Sequence, residues 1–182
     1  MQRLILYIAF GFVLPSCNFN TALPENEMIA FDIPGWLNEG SHLNSISANT
    51  QIEKTVAMDD KTESKFITLA EFDSSLQMLA ELDLNTSRYE GKLITDTTTL
   101  SDSTFSIHYT IHSNRLPVKS GEIQFLNAEV TSLQLFTEEN NMLYNIQKEY
   151  NYQPGKSFTI TVDQKTIFYG EKHYSLRYDI MQ

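Results

Sequence analysis

Across 182 residues the chain has a single cysteine, seven glycines, five prolines and only 13 lysine or arginine side chains, against 23 acidic ones. Each scarcity excludes something. One cysteine makes neither an internal disulfide framework nor a multi-cysteine zinc site. The formal net charge of 13 − 23 = −10 argues against sequence-independent nucleic-acid binding, which needs clustered positive charge to release counterions. A charged fraction of 20% beside a hydrophobic fraction of 41% is too apolar for an intrinsically disordered chain. Local catalytic signatures are missing too, since no G-x-S-x-G, P-loop or G-x-G-x-x-G occurs. Aromatic residues, in contrast, reach 12%.

The amino-terminal stretch carries its own message. Arg3 and the free amine make it positive, Leu4 to Leu14 is an apolar run, and the run closes on Pro15-Ser16-Cys17. A positive start followed by about 7–15 apolar residues describes a secretory signal peptide, whereas a membrane-spanning helix needs roughly 20. Leu14-Pro15-Ser16-Cys17 resembles a bacterial lipobox. That resemblance implies that residues 1–16 are removed, that the Cys17 thiol is diacylglycerated, and that the new amino terminus is acylated. The mature chain would keep 182 − 16 = 166 residues and a charge of 12 − 23 = −11. At that length a fold buries roughly 68–70% of its unfolded surface, enough for one core.

Residues 17–27 read as the lipidated cysteine and a polar tether, and residues 28–182 as a single α+β domain. Asp32 as N-cap, Pro34 in the first turn and apolar residues at helical spacing predict a helix over about 34–47. Alternation over Gln51–Met58 and Lys61–Ile67, separated by Asp59-Asp60, predicts a β-hairpin. Thr68 and Glu71 fit a capping box, and Leu69, Phe72, Leu76, Leu79 and Ala80 give one apolar stripe on the helix that follows, to about Leu82. Beyond about Tyr89 a period of two recurs through Phe105–Ile111, Met142–Tyr152, Phe158–Val162 and Tyr174–Ile180. One apolar and one polar face, strand after strand, predicts an antiparallel sheet covered on one side. The expected architecture is two short N-terminal helices packed on a curved, mainly antiparallel sheet, with a lipocalin-like or half-barrel closure as the alternative.

Few residues point to chemistry. His108 and His112 have H-x-x-x-H spacing, but on a strand they stand about 13 Å apart, too far to share one zinc ion. His42 and His173 are isolated in sequence. Asp59-Asp60 and Glu138-Glu139 are expected to be solvated turn acids. No catalytic residue, metal site or cofactor is expected. Six tyrosines crowd the last 41 residues: Tyr144, Tyr150, Tyr152, Tyr169, Tyr174 and Tyr178. A flat apolar ring with a polar tip suits an interface, so Tyr144, Tyr150, Tyr152, Tyr174 and Tyr178 are the candidate binding patch; the competing reading is that they fill half-buried strand positions.

The lipobox, the Phe31-Asp32-Ile33-Pro34-Gly35-Trp36-Leu37 opening, the Glu53-Lys54-Thr55-Val56 strand and the capped helix ending at Leu82-Asp83-Leu84-Asn85 together resemble an uncharacterised group of lipoproteins from Bacteroidota-type bacteria. The resemblance implies location and architecture only. It places the protein at the outer membrane, held by its lipid anchor on the periplasmic face, with the cell surface as the alternative. The expected role is a non-catalytic module that binds an envelope protein or polymer. A carrier of an apolar ligand within the sheet is the second reading, and an envelope hydrolase the third.

Overall fold

A computed structural model describes residues 29–47, 49–168 and 170–181. The predicted signal peptide, Cys17, the tether and Tyr169 lie outside the described residues.

The order of elements is α1 (Ile33–Asn38), a 3-10 turn at Ser41–Leu43, β1 (Gln51–Met58), β2 (Lys61–Ile67), α2 (Leu69–Ala80), a second 3-10 turn at Ser87–Tyr89, and then β3 (Leu93–Ser101), β4 (Thr104–Ile111), β5 (Val118–Leu126), β6 (Glu129–Asn140), β7 (Tyr144–Gln153), β8 (Ser157–Thr166) and β9 (Gly170–Met181). All nine strands form one antiparallel sheet in the order β2-β1-β9-β8-β7-β6-β5-β4-β3. The last seven strands are a simple meander, and the early β1–β2 hairpin adds to its closing strand, with Ile52 opposite Ile180 and Val56 opposite Leu176. The two ends of that order, β2 and β3, are edges. The sheet is open, so the lipocalin-like closure does not form.

The helical layer is thinner than the periodicity suggests. The helix predicted over 34–47 ends at Asn38, because Gly40 takes a left-handed conformation with φ of 69° and the chain restarts as a single 3-10 turn. Asp32 does cap α1, its Oδ1 accepting from Gly35 N at 2.9 Å. The α2 reading holds: Thr68 Oγ1 accepts from Glu71 N, and Glu71 Oε2 accepts from Thr68 N, which completes the capping box. Phe72, Leu76 and Leu79, spaced by four and three, are fully buried.

From that stripe Phe72 lands on one line of the sheet, against Tyr178 and Tyr152. Tyr178, Phe158, Tyr152, Leu133 and Ile123 are mutual register partners across five strands, and all are buried. Phe158 and Tyr178 stack with centroids 5.8 Å apart, and Phe72 meets Tyr178 edge-on at 5.5 Å. At about 1.5–3 kcal/mol for each large apolar side chain fully buried, the seating of Phe72 on Tyr178 and Tyr152 helps to hold α2 to the sheet. Gly121 sits opposite Leu135 in the neighbouring strand, and a β-carbon there would come within 2.7 Å of the Leu135 methyl. The missing side chain is what lets the leucine lie flat across β5.

Candidate functional site

Helices cover only part of their face of the sheet. On the same face, toward the hairpin turns that join β6 to β7 and β8 to β9, Met58, Tyr174, Val162 and Lys148 are register partners, and none of them is buried. Val56 and Leu176, one line nearer the helices, are also accessible, as are Ile146 and Tyr144 nearer the turns. The result is a mainly apolar strip crossing β1, β9, β8 and β7, interrupted by Lys148 and, on the Ile146 line, by Gln164 and Lys172.

The strip divides the candidate tyrosines. Tyr144 and Tyr174 lie on it, half-buried. Tyr150, Tyr152 and Tyr178 are buried under the helical layer, so the five do not make one exposed patch. Alternation put all five on the same face, but only the helix crossing decides which of them solvent can reach. Desolvation raises the pKa of both Tyr150 and Tyr152, and the Tyr152 hydroxyl donates to the backbone oxygen of His42 at 3.3 Å. These are structural tyrosines.

The histidines occupy four different settings. His112 is exposed just past the end of β4. His173 on β9 is exposed and pairs with Asp163, Nδ1 to Oδ1 at 2.7 Å, beside a polar depression of about 410 Å³ that also contains Lys165 and Glu171. His42 is buried between Trp36 and Tyr152, with centroid distances of 5.5 and 6.2 Å. Asp73 Oδ1 approaches its Nε2 to 3.4 Å, yet neither ring nitrogen has a hydrogen-bond partner. Burial lowers the His42 pKa, and Asp73 opposes that shift only in part.

His108 has the most chemically suggestive surroundings. Ser106 Oγ lies 2.9 Å from its Nε2, and Glu122 Oε2 lies 3.7 Å from its Nδ1. Gln124 Nε2 donates to the other Glu122 oxygen at 2.9 Å. Ser106 and His108 share a face because they are two apart on β4, and Glu122 is the register partner of His108 on β5. Spacing of i, i+2 on a strand was visible in the sequence; the glutamate needed the register. Serine, histidine and carboxylate in this order can activate a hydroxyl. Two features stand against it here. Ser106 is only 2% exposed, so a substrate carbonyl cannot approach its hydroxyl. β4 is also paired on both sides, so its backbone N–H groups belong to the ladders and none is free to stabilise an oxyanion.

Asp59 and Asp60 do lie in the β1–β2 turn, exposed. Glu138 and Glu139 do not lie in a turn. Both are on β6, where Glu138 accepts from Asn145 and Gln147, and these bonds lower its pKa. Successive residues on a strand point to opposite faces, so this pair cannot share a cation. Among the described residues, no group of three or more His, Cys, Asp or Glu side chains converges as a metal site. Every side chain along the Tyr178–Ile123 line is buried, and a depression of about 590 Å³ lies to one side of it, lined by Phe31, Trp36, His42 and Val130 among others.

No protein-family model matches the chain, and no curated protein or solved structure is significantly similar to it.

Proposed function

We propose that this protein is a non-catalytic envelope lipoprotein, anchored to the bacterial outer membrane through Cys17, which binds a protein or polymer of the envelope on the uncovered strip of its sheet. The observation that carries the reading is the strip itself: Val56, Met58, Tyr144, Val162, Tyr174 and Leu176 stay accessible on a face whose Tyr178–Ile123 line is fully buried. Apolar and aromatic side chains gathered on one surface favour a docking role. Lys148 and Lys172 give the strip two cations in a domain whose mature charge is −11, a suitable mark for an acidic group on the partner. The packed interior beneath α2 argues against the carrier reading, which needs an apolar ligand-sized cavity. The buried Ser106 argues against the hydrolase reading.

Two experiments test the two halves separately. Growth with an alkynyl fatty acid should label the wild-type chain and leave a Cys17→Ala variant unlabelled; equal labelling of both would overturn the anchor. A photoreactive amino acid at Tyr174 should capture a discrete envelope partner in cells, and one at Thr161, on the opposite face of the neighbouring strand, should not. Identical capture from both positions, or none from Tyr174, would overturn the docking surface.

A further inference from the structure

Two of the turns at the uncovered end of the sheet have the wrong composition for turns in water. In the β6–β7 hairpin, Asn141 N donates to Tyr144 O at 2.9 Å, so Met142 and Leu143 are the two central residues. Positions of this kind favour Gly, Asn, Asp and Ser, yet Met142 is 90% exposed and Leu143 58%. In the β8–β9 connection Ile167 is 67% exposed and Phe168 78%. The two turns are neighbours, because Ile167 N donates to Leu143 O at 3.2 Å. Turns at the other end of the sheet are polar or small by contrast: Asp102-Ser103, Asn127-Ala128 and Pro154-Gly155-Lys156.

We infer that Met142, Leu143, Ile167 and Phe168 form a two-pronged tip that inserts into the phospholipid interface of the membrane holding the protein. The inference rests on the lipoprotein reading and deepens it by fixing which end of the domain faces the lipid. Shape favours a bilayer over a protein as the occupant. The four side chains stand on turn tips rather than in a groove, and a fluid apolar layer accepts protruding side chains without a complementary surface. The prongs are held in place beforehand: Asn141 Oδ1 accepts from Leu143 N at 2.8 Å and from Tyr144 N at 3.1 Å, which fixes the β6–β7 turn with its apolar residues outward.

Charge selects the kind of lipid. The tip itself carries no charge. Lys165 beside it is matched by Glu171 at 2.6 Å, and the exposed Lys61 and Lys172 at the same end are offset by Asp59 and Asp60 in the β1–β2 turn, where Asp59 N donates to His173 O. This balanced to acidic rim gives anionic headgroups no attraction, so the tip enters a zwitterionic interface by apolar burial alone. Geometry permits the contact. Residues 18–28 could extend to at most about 40 Å, comparable to the length of a 12-residue strand such as β9, so an anchor at Cys17 lets either end of the sheet reach the surface. The apolar turns decide which end does.

The test uses the full-length chain in its own membrane, with p-benzoylphenylalanine placed singly at Leu143, Phe168, Tyr174 or Ala128, the last in a turn at the opposite end. Adducts are identified by mass after irradiation. Phospholipid adducts, mainly zwitterionic, should form at positions 143 and 168 at least tenfold above position 128. Protein adducts alone at 168, no adduct at 168, or equal lipid labelling at 168 and 128 would each overturn the tip. The docking reading fails separately, through position 174: protein capture there without lipid at 168 removes the tip and leaves the binding surface standing.

Discussion

Asn85 and Ala30, 55 positions apart in sequence, are joined by two hydrogen bonds in opposite directions. The Asn85 Oδ1 accepts from Ala30 N at 2.9 Å, and its Nδ2 donates to Ala30 O at 3.0 Å. The same oxygen also accepts from Ile29 N at 2.9 Å. A side-chain amide thus behaves as a strand edge would, and fixes where the chain enters the domain. Asn85 is itself buried and is held by Asp83, whose carboxylate accepts from Asn85 N at 2.8 Å.

Asn85→Leu is therefore expected to cost about 2–4 kcal/mol, since it leaves two backbone N–H groups and a carbonyl in a partly buried site without partners. Urea denaturation should show a lower midpoint at unchanged slope. Hydrogen exchange should accelerate first at Ile29 and Ala30. An unchanged midpoint would mean that the entry segment contributes nothing to the fold.

His42 should make the protein sensitive to mild acid. Its folded pKa lies below the ordinary value of 6.5 because burial disfavours the imidazolium. Above pH 6.5 both folded and unfolded rings are neutral, and the site adds no pH dependence. As pH falls through 6.5 the unfolded chain takes up a proton that the folded chain does not, so stability drops until the folded ring titrates. One such proton gives a slope of at most about 1.4 kcal/mol per pH unit. Urea unfolding between pH 7 and 5 should show a smaller loss in His42→Phe than in wild type. Asp73→Asn should show a larger one, because it removes the carboxylate that partly restores proton affinity. Parallel curves for all three proteins would refute the assignment.

The β5–β6 turn holds a correctable strain. Asn127 and Ala128 both have positive φ, at 51° and 65°. Two-residue hairpin turns of this type favour Asn-Gly, and alanine in a left-handed conformation costs about 1–2 kcal/mol. Ala128→Gly should raise the urea midpoint, by an amount corresponding to about 0.5–1 kcal/mol after the added flexibility of the unfolded chain is counted. A lowered midpoint would show that the Ala128 methyl group makes a contact worth more than the strain.

Much of this architecture could be read from local pattern. The β1–β2 hairpin, the Thr68–Glu71 box and the alternation of β4, β7, β8 and β9 are short-range features, and each forms where expected. β3 was harder to delimit, because an edge strand exposed from Ile94 to Ser101 has no buried face to impose alternation; Thr97, Thr98 and Thr99 follow one another unpatterned. Gly40 lies inside apolar residues at helical spacing, and the break there comes from its left-handed backbone, which that spacing does not report. Burial of particular tyrosines was not legible at all, since it depends on where α2 crosses the sheet. Ser106, His108 and Glu122 meet only through the register of β4 with β5, which no spacing along one segment reports.

That last cluster gives the sharpest check on the proposed non-catalytic reading. A serine activated by histidine reacts with fluorophosphonates, provided that the phosphorus can reach the hydroxyl in line and that nearby donors stabilise its oxygen. Ser106 meets neither condition, because its side chain is closed off from solvent and the adjoining N–H groups are engaged in ladders on both sides. The hydrogen bond to His108 is then a packing bond, and Ser106→Ala should cost about 0.5–1.5 kcal/mol in stability and change no reactivity. Incubating the full chain with a fluorophosphonate probe should leave Ser106 unmodified in intact-mass and peptide spectra. Stoichiometric labelling of Ser106 that disappears in His108→Gln would show that β4 opens to substrate, and would favour the hydrolase reading over the proposed binding role.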